Sequence, residues 1–474
     1  DKSRFINRKN NIVPSLVAGA LDGLVIADPV SGELKTFGPS MHRPSPVHEA
    51  EDMFFKTQPT DKVFTPATDQ LYGEAADDFF DNVLKHTPKR FYRPLPTWDE
   101  VLNGIPELDI PPIVITTSGG MVEDANNSGP GKSEFIERRP DDRLYFKGDF
   151  QAKCEERWAQ LERGEIKSPI LVAQPKVELL PIQPTTPETD AKHMPRVGDG
   201  MSVKRARKTE TMDLVSALNG RRATMLYTAA LVAGRVNNQS ALGTTLNGYD
   251  GQKIATRITN CDEEIDLDAT AFDASNPGRS VYHYGRGLGR FNQATQQVKP
   301  TTTQAAVYML NQCHTVFGRY LFANNNETHS GQPDTTGYNI FRGATVVRYC
   351  FKRACQDEPK WAAAHSIIFD EWCFSVHFGD DVLMGVSGRD HQLPLDFFKL
   401  QKYGAEVGVA FTPGDKNSEG KPYCPKGKSK FLARRFYRKN DVVIWRLEFD
   451  TINSIYQWIS HTDVPDSLQT TLVC

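Results

Sequence analysis

No stretch of this chain is long and apolar enough to cross a bilayer as a helix. The longest candidate, SLVAGALDGLVIA at residues 15–27, is interrupted by Asp22 and falls short of the roughly 18 uncharged apolar residues a span needs. Cysteine is sparse: eight residues, at 154, 261, 313, 350, 355, 373, 424 and 474, with no CxxC pair. That spacing argues against a disulfide framework or a zinc site and fits reduced thiols in a cytosolic setting. A bulk excess of one charge is missing too. The net charge is −3, so attraction to nucleic acid must come from local basic patches. There is no internal repeat and no cleavable signal near the first residue, which is Asp and not Met. Such a start fits a fragment released from a longer precursor and equally an arbitrary cut in a longer sequence.

What is present is a globular chain of 474 residues, 39% hydrophobic, enough for one large multi-subdomain core or about two to four ordinary domains. Two basic patches stand out. One is KRARK at 204–208; the other is KGKSKFLARRFYRK at 426–439, with seven basic residues, interleaved aromatics and no acid.

Residues 1–115 are loop-rich and punctuated by proline, with a helix predicted around EAADDFFDNVLKHT, where Phe79, Phe80, Val83 and Leu84 form an apolar stripe. TTSGGMVEDANNSGPGK (116–132) is too rich in Gly, Ser and Asn for a regular element and reads as a backbone-exposing loop. A helix-like FQAKCEERWAQLERGEI and a short apolar segment ending in PKVELLPIQ follow, and then a polar stretch from Pro184 to Val203 reads as an insertion. GRGLGRF at 285–291 has glycines spaced G-x-G-x-G with no strand before them, so it is not expected to cradle phosphate.

In EIDLDATAFDAS, Ile265, Leu267 and Ala269 alternate with Asp266 and Asp268, the period of a strand with its acids on one face. Asp268 then lies near the strand's end and Asp273 just past it, with Ser275 or Asn276 placed to cap a following helix. After HSGQPDTTGYN, Ile340, Ala344, Val347 and Phe351 recur at helical spacing, which predicts a long amphipathic helix. WCFSVHF and VLMGV predict two strands of a hairpin with Gly379 and Asp380 at the turn.

Asp380 and Asp381 are adjacent carboxylates, and like charges at that distance resist ionising together. A solvated turn would tolerate them, and so would a divalent cation. If strand-end Asp268 and hairpin-tip Asp380 are neighbours in one antiparallel sheet, they could hold hard ions such as Mg²⁺ together with substrate phosphates. Two such ions about 3.5–4 Å apart serve an in-line displacement at phosphorus.

The ordered series DATAFD, SGQPDTTGYN, FGDD, FTPGDK and FLARRF resembles the palm motifs of viral RNA-dependent RNA polymerases, and the resemblance runs from about Thr116 to Phe436 and more loosely over the N-terminal region. The form is similar to that of picorna-like positive-strand viruses (Picornavirales), including the dicistrovirus-like group. The resemblance implies an α+β right hand of fingers, palm and thumb, with an antiparallel palm sheet packed on helices. It divides the chain into fingers at 1–212, palm at 213–275, a fingers insertion at 276–327, palm again at 328–436 and a truncated thumb at 437–474. Only 38 residues follow FLARRF, fewer than the helical thumb of such enzymes has, although INSIYQWI resembles its beginning.

By the same resemblance Asp268, Asp380 and Asp381 are the metal-binding and catalytic acids for two Mg²⁺ or Mn²⁺ ions, and Lys416 is the acid that protonates the departing pyrophosphate. Asp273, Ser330, Thr335 and Asn339 face the incoming nucleotide, with Gly331 allowing close backbone approach. Lys176 and Arg205 come from the basic fingers motif. That motif is interrupted by the Pro184–Val203 insertion, and Arg207 and Lys208 rival Arg205 for the triphosphate. Ser118 and Gly119 match the loop that guides template, although the family's Gly-Tyr-Pro continuation is replaced by GGMV. Arg434 and Arg435 match the hairpin that grips the primer strand. The implied partners are an RNA template and primer, nucleoside triphosphates, a protein primer and other viral replication proteins. The implied location is the host cytoplasm at membrane-associated replication complexes. Two alternatives stand beside this reading: a polymerase-like RNA-binding scaffold without catalysis, and a reverse transcriptase. The latter is disfavoured because Asp273 and Asn339 offer hydrogen bonds, not bulk, to a 2′-hydroxyl.

Overall fold

The structure, a computed structural model, describes residues 12–14, 36–39, 63–120, 131–176, 179–187, 189, 196–198, 200–203, 207–317, 320–325, 327–388, 395–414, 420–439, 442–448, 451–452 and 458–460. Helix α1 (Pro66–Lys85) starts where the Thr65 hydroxyl accepts from the Thr68 amide, and it buries Phe79, Phe80 and Val83 as the apolar stripe predicts. In chain order there follow α2 (Phe150–Glu162), strand β1 (Ile170–Pro175), β2 (Lys208–Met212) and α3 (Leu214–Ala233). Then come β3 (Glu263–Thr270), α4 (Gly278–Gln296), α5 (Pro300–Asn311), β4 (Gln312–Phe317) and β5 (Tyr320–Asn325). The last set is α6 (Thr335–Asp357), β6 (Cys373–Phe378), β7 (Asp381–Val386), α7 (Phe397–Glu406), β8 (Ala410–Pro413), β9 (Lys430–Phe431), β10 (Arg434–Lys439) and β11 (Val442–Leu447).

Three sheets organise these elements. β6-β7-β3-β8 is antiparallel throughout, with Leu267 opposite Val382 on one side of β3 and Asp268 opposite Thr412 on the other. A mixed sheet runs β5-β4-β1-β2, parallel only between β4 and β1. A third is the meander β9-β10-β11. The polar stretch expected to be an insertion is ordered at its base: Leu179–Pro184 pairs with Met201–Val203, which pairs with Arg196–Gly198. Strands of three residues leave too little alternation for sequence to reveal them. No helix among the described residues is long and apolar enough to cross a membrane.

The central helices meet through aromatic rings. Phe80 of α1 lies against Tyr227 of α3, Tyr284 of α4 and Phe341 of α6, and Tyr284 meets Tyr338 at 4.8 Å between centroids. Burial of such side chains contributes about 1.5–3 kcal/mol each. GRGLGRF lies inside α4, where its glycines serve this packing: a Cβ on Gly287 would sit 2.0 Å from the Phe80 ring. Ion pairs from Arg286 and Arg290 to Asp77, each at 2.7 Å, close the outer side of the α1–α4 contact.

Two local expectations need correction. The helix predicted as amphipathic, α6, is buried on every side from Gly337 to Phe351, because its polar-looking face carries Arg342 and Arg348, each 1% exposed, with Arg342 donating to backbone carbonyls and Arg348 to Gln239. Neither Ser275 nor Asn276 caps α4, whose N-cap position is Pro277. The carbonyl of Ser275 accepts from Arg342, and Asn276 accepts from the Tyr338 hydroxyl.

Candidate active site

The acids on one face of β3 have separate fates. Glu264 and Asp266 are buried under the segment leading to β9: Glu264 accepts from Gly427 N and Ser429 Oγ, and Asp266 from Cys424 Sγ and Lys430 N. Asp268, two residues on, is exposed at the strand's end. Next to it the β6–β7 hairpin turns through Gly379, at φ 63°, and Asp380, whose φ is not positive, the pattern of a type II′ turn. One step past the paired residues Leu267 and Val382, the register sets Asp268 opposite Asp381, with Asp380 exposed at the tip.

These three carboxylates load one sheet edge with negative charge. Burial, then Asp380 and Asp268, push the Asp381 carboxyl up to about 6, with Lys430 opposing. An oxygen-only, acid-rich edge that resists its own ionisation is a fitting donor set for hard divalent cations. The acids do not converge as tightly as a closed cage. Among the described residues, the group of three ligand atoms within 4.8 Å of one another is Glu210, Glu327 and His329. There the Lys208 ammonium lies between the carboxylates, 2.6 Å from Glu327 and 3.3 Å from Glu210, so the positive charge is already supplied by a side chain.

Asp273, three residues past β3, is reached from α6: Asn339 Nδ2 donates to its Oδ1 at 2.9 Å. Its surface is open to solvent, yet protein crowds its inner side. That desolvation raises its carboxyl above the usual range against the pull of Asn339, Arg342 and Arg207, with Asp380 adding to the rise. Asn339 is 6% exposed, and its Oδ1 has no partner. A buried acceptor left open beside a carboxylate is poised for a hydroxyl donor.

The loop before α6 is bolted to the mixed sheet. Ser330 Oγ accepts from Glu210 N at 2.8 Å, and a Cβ on Gly331 would lie 2.4 Å from the Glu210 carbonyl. Close approach does require glycine here, and the neighbour is β2. Thr335 turns its hydroxyl to the His329 and Gln332 carbonyls, so it shapes the loop from within. Ser118 bridges to Gly131 and shares with Thr117, Lys132, Met212 and Gly331 a recess of about 220 Å³, while Gly119 is buried behind it.

Of the rival basic residues, Lys208 is held in the buried cluster, whereas Arg207 is exposed and acts electrostatically on Asp273. Lys176 is exposed beside it, its amide donating to the Arg207 carbonyl. Arg205 and Lys416 lie outside the described residues. At the β9–β10 turn, Arg435 is committed to Glu448 and the Lys428 carbonyl, while Arg434 donates only weakly, to the Leu432 carbonyl at 3.4 Å.

Sequence reasoning missed the Glu210–His329 pair, whose members lie 119 residues apart. Burial opposes charge on both and is overcome: interaction with Cys313 and then Glu210 pushes the His329 imidazole up to about 10, and His329 and then Lys208 hold the Glu210 carboxyl low. Replacing His329 by Gln is expected to cost about 1–3 kcal/mol in chemical denaturation, because the buried Glu210 carboxylate loses its charge-assisted bond to His329 while keeping Lys208 and the Thr315 hydroxyl. The raised histidine contributes fully below its unfolded pKa near 6.5 and loses that contribution as pH rises toward about 10. The gap between parent and variant should therefore narrow over that window, and a gap that widens would contradict a charged pair.

The profile of the family described as viral RNA-dependent RNA polymerase matches residues 237–471. A replication polyprotein of Nora virus is 24% identical over 236 residues, 49% of this chain, and the chain spans 11% of that polyprotein's length. The solved structure of a Sicinivirus 3Dpol RNA-dependent RNA polymerase superposes with a TM-score of 0.70 at 16% identity, covering 98% of this chain and 86% of the other. Taken with the antiparallel sheet and its acidic edge, these matches give residues 237–471 the profile of the viral RNA-dependent RNA polymerases and the chain their picornaviral right-hand fold.

Proposed function

We propose that the chain copies RNA from ribonucleoside triphosphates on an RNA template, and so replicates a positive-strand RNA genome. The observation that carries this reading is the acidic edge of β3 and β7 beside the Asp273–Asn339 pair. On this reading residues 213–275 and 328–436 form the palm. Asp268, Asp380 and Asp381 would hold two divalent ions, Mg²⁺ or Mn²⁺, which when bound activate the primer 3′-hydroxyl and neutralise the leaving pyrophosphate. The remaining work belongs to side chains and is mostly positioning and charge stabilisation. Asp273 and Asn339 orient the ribose. Arg207, with Lys176 and Arg205 nearby in sequence, meets the triphosphate, and Lys416 returns a proton to pyrophosphate. Ser118 and Gly119 line the template's path. The partners would be template, primer, nucleotides, a protein primer and other replication proteins, at membrane-associated complexes in the host cytoplasm.

Primer extension with NTPs and with dNTPs, each with and without Mn²⁺, tests the reading. Metal-dependent NTP incorporation is expected. RNA binding without incorporation would favour a non-catalytic scaffold, and equal use of dNTPs a reverse transcriptase.

Arg434 at the β9–β10 turn should touch strand phosphates, with Arg435 holding the hairpin through Glu448. Arg434→Ala is expected to weaken RNA binding about equally on all templates and to reduce the salt slope by about 1. A changed sequence preference at an unchanged slope would point to base contacts instead.

A further inference from the structure

Arg342 lies on α6, three residues past Asn339, and is 1% exposed. Its NH1 donates to the Phe272 carbonyl and its NH2 to the Ser275 carbonyl, both at 2.7 Å, and the guanidinium lies 4.1 Å from the Phe272 ring centroid. No carboxylate among the described residues comes within ion-pairing distance of it. A buried cation held by carbonyls and a ring, with Asp273 acting on it only beyond ion-pairing distance, is costly, and an apolar side chain would fill the space more cheaply. The turn it grips needs holding: Ala271 sits at φ 48°, a left-handed conformation unfavourable for a residue with a side chain. Within that turn stands Asp273, whose carbonyl accepts from Thr328 N and whose carboxylate accepts from Asn339.

We infer that Arg342 is a positioning residue for sugar selection, clamping the 271–276 turn onto α6 so that the Asp273 carboxylate meets Asn339 and both present to the ribose 2′-hydroxyl. The inference rests on the ribose reading above. The clamp works because the two residues that read the sugar come from different elements: Asp273 from the turn and Asn339 from the helix. Arg342 ties the turn to that helix at both 272 and 275, and Tyr338 adds a single bond at Asn276. Lysine keeps the charge but cannot span both carbonyls in the planar fork that arginine provides.

The test measures kcat/KM for ATP and dATP in single-nucleotide extension by the parent, Arg342→Lys, Asn339→Ala and the double variant. Arg342→Lys is expected to lower the ATP-to-dATP ratio roughly tenfold, through slower ATP use with dATP use nearly unchanged, and to lower it no further in the Asn339→Ala background. Equal losses for both nucleotides would reduce Arg342 to structural support and overturn the inference, as would additive effects in the double variant. If Asn339→Ala lowers the ratio and Arg342→Lys does not, the inference alone fails. If Asn339→Ala leaves the ratio unchanged, the ribose reading fails and takes the inference with it. Should Arg342→Lys not fold, Phe272→Leu removes the ring beneath the guanidinium, leaves no carbonyl unpaired, and is read by the same ratio.

Discussion

Primer extension by the Asp380→Asn variant is expected to fall by on the order of 10³-fold or more, with RNA binding nearly intact. Asp380 stands exposed at the hairpin tip and makes no packing contribution that its amide isostere would lose. What asparagine removes is the charge that the sheet edge offers to a hard cation. The basic residues of the β9–β10 turn lie on another sheet, so affinity for RNA should be insensitive to the change. Asp381→Asn should be milder. That carboxyl is already pushed up to about 6 by burial and by its two acidic neighbours, so it is the weaker ligand of the three. Unchanged turnover in Asp380→Asn under saturating Mg²⁺ would sink the assignment of the acidic edge as the ion site. A matched loss of RNA binding would show instead that the hairpin had been displaced.

The second large effect concerns the sugar. The Asn339 Oδ1 has no partner, its amide nitrogen is fixed by Asp273, and a 2′-hydroxyl can donate to one oxygen while accepting elsewhere. A site that leaves a buried acceptor open for a hydroxyl penalises the analogue lacking it, up to about 10⁴–10⁵-fold in the strongest cases. A large NTP preference is therefore expected in the parent. Asn339→Ala and Asp273→Ala should reduce it by roughly 10–100-fold, the equivalent of about 1–3 kcal/mol for a lost buried hydrogen bond. The reduction should come chiefly from slower NTP incorporation. Unaltered ratios in both variants would place sugar selection elsewhere.

Local pattern made much of this site legible. Strand alternation in EIDLDAT, the Gly-Asp turn between two apolar runs, and the short motifs in order are signals carried within about ten residues, and the structure places the first two in adjacent strands of one sheet. Alternation could not say which acid on the β3 face reaches solvent. Glu264 and Asp266 are covered by residues 424–430, roughly 160 positions downstream, and only the folded chain brings that lid into view. A separation of 119 positions likewise hid the Glu210–His329 pair. Distance along the chain also misled the reading of α6, where arginines that look solvent-facing in sequence are buried against carbonyls and rings supplied by other elements. Between Lys208 and Arg207, sequence had no means to choose, because both are basic, adjacent and on the same patch. Their fates diverge through Glu327 and Asp273, neither of which is near them in the chain.

The covered acids of β3 have one more implication, for how this gene can change. Glu264 and Asp266 find donors only while they share a face with Asp268, and a shift of one position would swing Ile265 and Leu267 toward the 424–430 segment and turn both carboxylates into the apolar layer behind. The strand thus polices its own reading length. A point substitution at the exposed Thr270 leaves this alternation in place. An insertion or deletion of a single codon between Glu263 and Asp268 would lose the acidic edge and the fold in the same step.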